Sequence, residues 1–375
     1  MFSENENMNI LVLCADYPNL NGEKAMNYVH VRNLYYKNQN IIPVVLSLAA
    51  VENYSIDGVE VITLDYYQRD SSQHGDQNYK CLVCHAPNIR NHYCFLKNNV
   101  NKFKNIAFIF HGHEIVKINE TYPKPYEYTE RYRLFKRISQ SIYDSFKLFI
   151  WRNYLPKIAY KSQFVFVSNS LFDDFCNYVK PGFAAVEDRI HIIPNSVGET
   201  FEKSQYDAVG DKQYDFITIR SDLDSSVYCL DLITGYANKY PQYSFLVIGK
   251  GKWFDYNTKP DNITFINSVL DHERLITYVD QASYALMPTR RDSQGVLTCE
   301  LLTYGIPVIT SDLPVCREIC DGFNNYILIS NDINKVDLTK AIQYLEQFKY
   351  AEGIKIEKYF AENTARKEVG LLKNL

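Results

Sequence analysis

The chain has 375 residues, enough for two or three domains, and its 46% hydrophobic and 22% charged side chains are the balance of a folded protein. Forty basic against forty-four acidic residues leave a formal charge of -4, so there is no global positive field to neutralise a phosphate backbone, which argues against a dedicated nucleic-acid binder. The longest uncharged apolar stretch, 41–51, is too short to cross about 30 Å of hydrocarbon, and the acidic, polar start at 1–8 does not read as an export signal. A cytoplasmic protein is expected.

In chain order, a first strand is read at 9–14, followed by a loop with Gly22 and a helical period over 23–36. Further strands follow at 42–47, 59–64, 80–84, 106–110, 164–167 and 190–193. The stretch 196–213, polar and carrying Gly198 and Gly210, reads as a linker. The alternation then restarts with strands at 215–219, 244–248, 263–266, 284–287, 307–310 and 325–329. Strands alternating with helical segments predict an α/β protein of two doubly wound, Rossmann-like halves, with ligands outside the carboxyl ends of the strands. The expected boundaries are 1–195 for the first domain, 196–213 for the linker, 214–354 for the second domain and 355–375 for a terminal helix.

Nine cysteines, odd in number and mostly in apolar or helical contexts, suit reduced thiols. Cys81-Leu82-Val83-Cys84-His85 has the spacing of a c-type haem attachment site, but it also reads as a buried strand, and the strand reading is preferred. Cys316 and Cys320 lack a second ligand pair at zinc-finger spacing. The segment 131–161 is helical in period and basic, with Asp144 its only acid. Phe135, Ile138, Ile142, Phe146 and Phe149 recur on one face, and Lys136, Tyr143, Lys147 and Trp151 on the other. A peripheral helix on anionic lipid has this pattern, and so does a solvated helix packed on a sheet. Pro156 predicts a break near its end.

The most informative segment is 288–312, which reads strand end, loop, helix and strand. Gly295 opens the helix, whose unpaired amides and positive end suit phosphate oxygens. Glu300 lies about one and a half turns further, where a carboxylate can accept from a pair of sugar hydroxyls. Gly305 suits the helix C-terminus and Pro307 the start of a strand. Together these describe a nucleotide site.

This pattern, two acids eight apart at Asp292 and Glu300 followed by Gly305-Ile-Pro307-Val-Ile, resembles the glycosyl transferase group 1 family, retaining nucleotide-sugar enzymes of the two-domain GT-B fold. The resemblance implies that Glu300 binds the donor ribose, Asp292 the donor sugar, and the amides of Gly295 and Val296 the diphosphate. The runs at 164–174 and 190–197 resemble elements near the end of the family's first domain. Arg220 matches an arginine that grips the diphosphate, a task suited to its bidentate fork, and Gly249-Lys250-Gly251 matches a glycine turn. Two departures stand out. The first acid is Asp rather than Glu, and the lysine expected after the arginine is replaced around Val227 and Tyr228, leaving Arg290, Arg291, Lys250 or Lys252 to supply a phosphate contact.

In the first domain, His111 ends the strand 106–110 within His111-Gly112-His113-Glu114, and the resemblance gives it the role of facing the donor sugar. A metal reading of His111, His113 and Glu114 lacks the helical i, i+4 geometry of a zinc protease motif and is set aside. Asp16 and Gly22 either meet the acceptor or phosphates or only shape their turn. Asp222-Leu-Asp224 has the spacing of metal-dependent transferases of another fold but is read as a turn or cap, and Gly249-Lys-Gly251 lacks the third glycine of a dinucleotide fingerprint, so NAD is not expected.

The resemblance therefore implies a retaining, metal-independent glycosyltransferase, with His111, Arg220 and Asp292 catalytic. Its donor-binding set is Glu300, Gly295, Val296, Gly249, Lys250 and Arg290. No metal or cofactor is expected beyond a nucleotide-sugar substrate such as a UDP- or GDP-sugar. The acceptor would be a glycoconjugate or a lipid-linked surface polysaccharide; of the two readings of 131–161, the one on anionic lipid would place the chain at the inner face of the membrane. The rival reading is a non-catalytic GT-B subunit or scaffold, motivated by the missing lysine and by Asp292; a nucleotide-sugar epimerase is a third.

Overall fold

The computed structural model describes residues 8–21, 25–74, 79–179, 187–348 and 355–375. They divide into two compact units, the first made of Met1–Lys117, Tyr143–Ser196 and Ala361–Leu375, the second of Ile118–Ile142 and Val197–Phe360. The sheets and flanking helices are of the α/β class expected.

The first unit holds an eight-stranded sheet: β1 (Met8–Cys14), β2 (Ile41–Ser47), β3 (Tyr54–Ile56), β4 (Val59–Ile62), β5 (Cys81–His85), β6 (Asn105–Phe110), β7 (Ser162–Phe166) and β8 (Ile190–Ile192). The spatial order is β3-β4-β2-β1-β5-β6-β7-β8. Every pair is parallel except β3–β4. β1 and β5 are buried almost throughout because both sheet faces are covered, which is why their sequences read as unbroken apolar runs. The haem-like pentad is thus β5, hydrogen-bonded on both sides. Strand β3 was not foreseen. It is three residues long, and what creates it is the Asp57-Gly58 turn, where φ values of 48° and 70° give both central residues the left-handed geometry of a two-residue hairpin.

The second unit carries an all-parallel sheet of β9 (Tyr214–Asp222), β10 (Phe245–Lys250), β11 (Ile263–Ile266), β12 (Ala282–Met287), β13 (Val308–Ser311) and β14 (Tyr326–Ile329), ordered β11-β10-β9-β12-β13-β14. One apolar cluster around Ile217, Leu246, Ala285 and Leu301 covers one face, and another around Phe216, Val247, Leu286 and Ile233 covers the other.

The units differ from the expected boundaries in three places. Residues 118–142 belong with the second unit: Tyr126 and Tyr128 donate to Asp231 and Asp224, each at 2.7 Å, and their rings pack on Trp253 and Tyr256. The stretch read as a linker contains the short helix Glu199–Lys203 with Phe201 fully buried, so it is part of the second unit's core. Of the terminal segment, 355–360 stays with the second unit, while the helix Ala365–Lys373 packs in the first.

The basic segment forms the helix Leu134–Ile158, ending two residues after Pro156. Its packing corrects the reading of it as an ordinary helix laid on its apolar face. Lys147 and Trp151 are buried, and the phenylalanine and isoleucine stripe is exposed.

Candidate functional site

In the second sheet the strand order reverses between β9 and β12, the topological switch point at which open α/β sheets leave a crevice beyond their carboxyl ends. Arg220, near the end of β9, lies there, 5% exposed. Its Nη2 donates to the carbonyls of Met287 and Pro288, both at 2.9 Å, which straps β9 to the loop after β12. Among the described residues its Nε has no hydrogen-bond partner, and the guanidinium lies 4.9 Å from the Tyr228 ring centroid. Tyr228, in the region where the lysine was expected, thus supports the arginine instead of adding a cation. Burial lowers the Arg220 pKa, opposed by the charge of Asp292. A buried, under-paired guanidinium is a site for an anion, because a hydrogen-bonded phosphate offsets its desolvation.

Gly249 explains how the next strand reaches this point. A Cβ there would lie 1.9 Å from the carbonyl oxygen of Arg220, so only glycine allows β10 to close on β9 at this level. The β9–β10 register shifts between Ile248 and Lys250, and Lys250 is exposed. Asp222 and Asp224 form the adjoining turn: Asp222 Oδ1 accepts from Asp224 N–H, and Asp224 Oδ1 accepts from Lys252 N–H and the Tyr128 hydroxyl.

The loop after β12 turns on Asp292. Its Oδ1 accepts the backbone N–H of Ser293 (2.8 Å), Gln294 (3.2 Å) and Gly295 (2.7 Å). One carboxylate oxygen therefore shapes the loop. Gly295 has φ 70°, and the helix Val296–Tyr304 begins after it with no side-chain cap. The helix ends on Gly305 at φ 105°, as its position predicts. Glu300, 4% exposed, accepts from the Gly198 N–H at 3.1 Å through Oε1. Burial pushes its pKa up to about 7, opposed by that hydrogen bond. His272 Nε2 is 3.7 Å from the same oxygen, and a Cβ on Gly198 would collide with the His272 ring. His272 and Gly198 were not foreseen beside Glu300, since nothing in their local sequence links them to an acid on a distant helix.

Arg290 departs from the expectation that it meets donor phosphates. Both terminal nitrogens are engaged by Asp231, at 2.9 and 2.6 Å, and Nη1 also donates to the Ser226 carbonyl at 2.9 Å. The pair raises the Arg290 pKa, and Asp231 is held below its ordinary value despite the opposing effect of burial. This forked bond ties the β12 loop to the helix Leu230–Lys239.

In the first unit, His111 follows β6, and its Nε2 is 3.3 Å from Nδ1 of the buried His85 at the end of β5. Burial, the leading cause for both, and the nearby Arg32 push the two imidazole pKa values well down, so the pair is neutral. Glu114 accepts the backbone N–H groups of His111 and Gly112, and His113 is exposed. Glu114 is therefore a turn former. Asp16, after β1, accepts its neighbour's Tyr17 N–H and lines a cavity of about 240 Å³ with Asn19, Asn21, Glu52 and Tyr54. Gly22 lies outside the described residues.

Residues 225–347 match the family described as glycosyl transferases group 1. An uncharacterized 41.2 kDa protein in the cps region of Klebsiella pneumoniae is 25% identical over 194 residues, 49% of this chain and 52% of that protein, so the match spans about half the length of this curated relative. Sucrose-phosphate synthase from Thermosynechococcus elongatus is similar in structure, with a TM-score of 0.71 over 98% of both chains at 13% identity. The catalytic domain of starch synthase IV from Arabidopsis thaliana, bound to ADP and acarbose, gives 0.56 over 99% of both at 10% identity. At such identities these likenesses establish the fold.

Proposed function

From a chain of GT-B fold whose residues 225–347 belong with the glycosyl transferases group 1, we propose a retaining glycosyltransferase that moves a sugar from a nucleoside diphosphate donor to a hydroxyl of a glycan or lipid-linked acceptor. The observation that carries this reading is Arg220, buried at the switch point with an Nε that has no hydrogen-bond partner among the described residues, in the unit where an uncapped helix start at Val296 and the buried carboxylate of Glu300 follow the adjoining β12 loop.

The chemistry follows from where charge develops. As the glycosidic bond breaks, the diphosphate gains negative charge. A fixed guanidinium and outward amides in a poorly hydrated site stabilise it without reorganisation, in the role a divalent cation plays elsewhere. Glu300, once ionised, accepts from the ribose diol, and Asp292 Oδ2 accepts from the donor sugar. His111 contributes a neutral imidazole, suited to hydrogen bonds with hydroxyls. The Asp16 cavity, lined by carboxylates and amides, suits a hydroxyl-rich acceptor.

The test is thermal shift with UDP, GDP, ADP and CMP, followed by hydrolysis of the matching nucleotide sugar with and without EDTA. One nucleoside diphosphate is expected to raise the melting point, by about 2.7 kcal/mol of stabilisation at a hundred times its Kd, and to slow hydrogen exchange around 220 and 289–300. If none does, the non-catalytic subunit replaces this reading. If EDTA stops turnover, metal independence fails.

A further inference from the structure

The helix Leu134–Ile158 is packed the opposite way from a solvated amphipathic helix. Asp144, Lys147, Leu148, Trp151 and Leu155 are buried, whereas Phe135, Ile138, Ile142, Phe146 and Phe149 are each more than half exposed. At 100° per residue those five fall within an arc of about 80° on the side away from the buried set. The inversion is possible because the buried ammonium is fully hydrogen-bonded: Lys147 Nζ donates to the carbonyls of His113 (2.8 Å) and Val116 (2.7 Å) and to Asp144 Oδ1 (2.7 Å). All three ammonium protons are thereby used, and Asp144 supplies the opposite charge.

The exposed stripe has a cationic rim. Lys136, Arg152 and Lys157 are exposed on the helix and Arg131 and Arg133 just before it; Arg133 lies 4.0 Å from the exposed Glu130, Arg152 also donates to the carbonyls of Tyr178 and Val179, and from 131 to 161 the only acid is the buried Asp144. This runs against the chain's net charge of -4. The stripe is about 22 Å long, and among the described residues no helix is long and apolar enough to cross a membrane.

We propose that this helix lies flat on an anionic bilayer, with Phe135, Ile138, Ile142, Phe146 and Phe149 at the boundary between headgroups and acyl chains and the flanking cations over lipid phosphates. Charge complementarity selects this occupant. An apolar interior beneath a negative surface matches both the stripe and its rim. A second copy docking stripe to stripe would bring two cationic rims together. The inference stands independently of the donor site.

The experiment is co-sedimentation of the full chain with vesicles of phosphatidylcholine and phosphatidylglycerol (7:3) or phosphatidylcholine alone. Binding to the anionic vesicles is expected to exceed binding to neutral ones by about tenfold or more and to weaken between 0.1 and 0.5 M salt. The combined Phe135→Ser, Ile142→Ser and Phe146→Ser variant is expected to remain in the supernatant with an unchanged melting point, since all three side chains face solvent. Tryptophan emission of Phe146→Trp should shift to the blue on adding anionic vesicles. The proposal is overturned if the native chain ignores both vesicles, if the serine variant binds as the native chain does, or if the native chain is a dimer that the variant converts to a monomer.

Discussion

At Glu300, burial favours the neutral acid and a bound ribose favours the carboxylate. With its pKa raised from 4.5 to about 7, the folded chain keeps a proton between those pH values that the unfolded chain has released. Unfolding therefore binds fewer protons in the unfolded state, and stability falls as pH rises through this window, by roughly 3 kcal/mol in all, then levels off. Urea titrations from pH 4.5 to 8 should show this fall, and Glu300→Gln should remove it. Binding has the opposite sign. A diol donating to Glu300 needs the ionised form, so the native chain should gain affinity for a nucleoside diphosphate between pH 5.5 and 7.5 relative to Glu300→Gln; comparison on the same ligand cancels the ligand's own titration. For Arg220 the discriminating change is Arg220→Lys, which keeps the charge and loses the fork. Turnover is expected to drop about a hundredfold or more with a smaller change in KM, because the interaction strengthens as charge develops.

At the scale of elements, the β9–β10 pair shows how a glycine acts through backbone packing. Gly249→Ala forces its Cβ against the Arg220 carbonyl, so the strand ends must part. We expect a loss of about 3 kcal/mol in denaturant unfolding together with a weakened nucleotide shift. Fully covered strands were readable because both faces are apolar, and the Gly295 and Gly305 ends of one helix were readable because left-handed backbone favours glycine. β3 escaped because three residues carry too little period, although its Asp57-Gly58 turn was a usable signal. Arg290 escaped for another reason: an arginine beside a phosphate site looks the same in sequence whether it faces the ligand or Asp231.

Over the whole molecule, the last fifteen residues complete the first unit. Arg32 Nε donates to Glu368 Oε2 at 2.9 Å, Tyr36 donates to the other carboxylate oxygen, and Val369 and Leu372 enter the same core as Ile10 and Val12. Both charges are essentially buried. Glu368→Ala leaves a buried guanidinium without its counter-charge, and a loss of about 3 to 5 kcal/mol is expected in calorimetry. Removing 361–375 should be worse, since it also exposes apolar surface of β1.

The amino-acid order by itself determined the α/β class, thirteen of the fourteen strands among the described residues and the loop-helix-strand segment around Gly295 and Glu300, because apolar periodicity and glycine geometry are local properties of the chain. Tertiary structure alone decided which side of Leu134–Ile158 meets solvent, that Arg290 belongs to Asp231, and that burial holds Glu300 near neutrality. Those outcomes depend on which distant groups share a volume from which water is excluded, and no local pattern encodes that company.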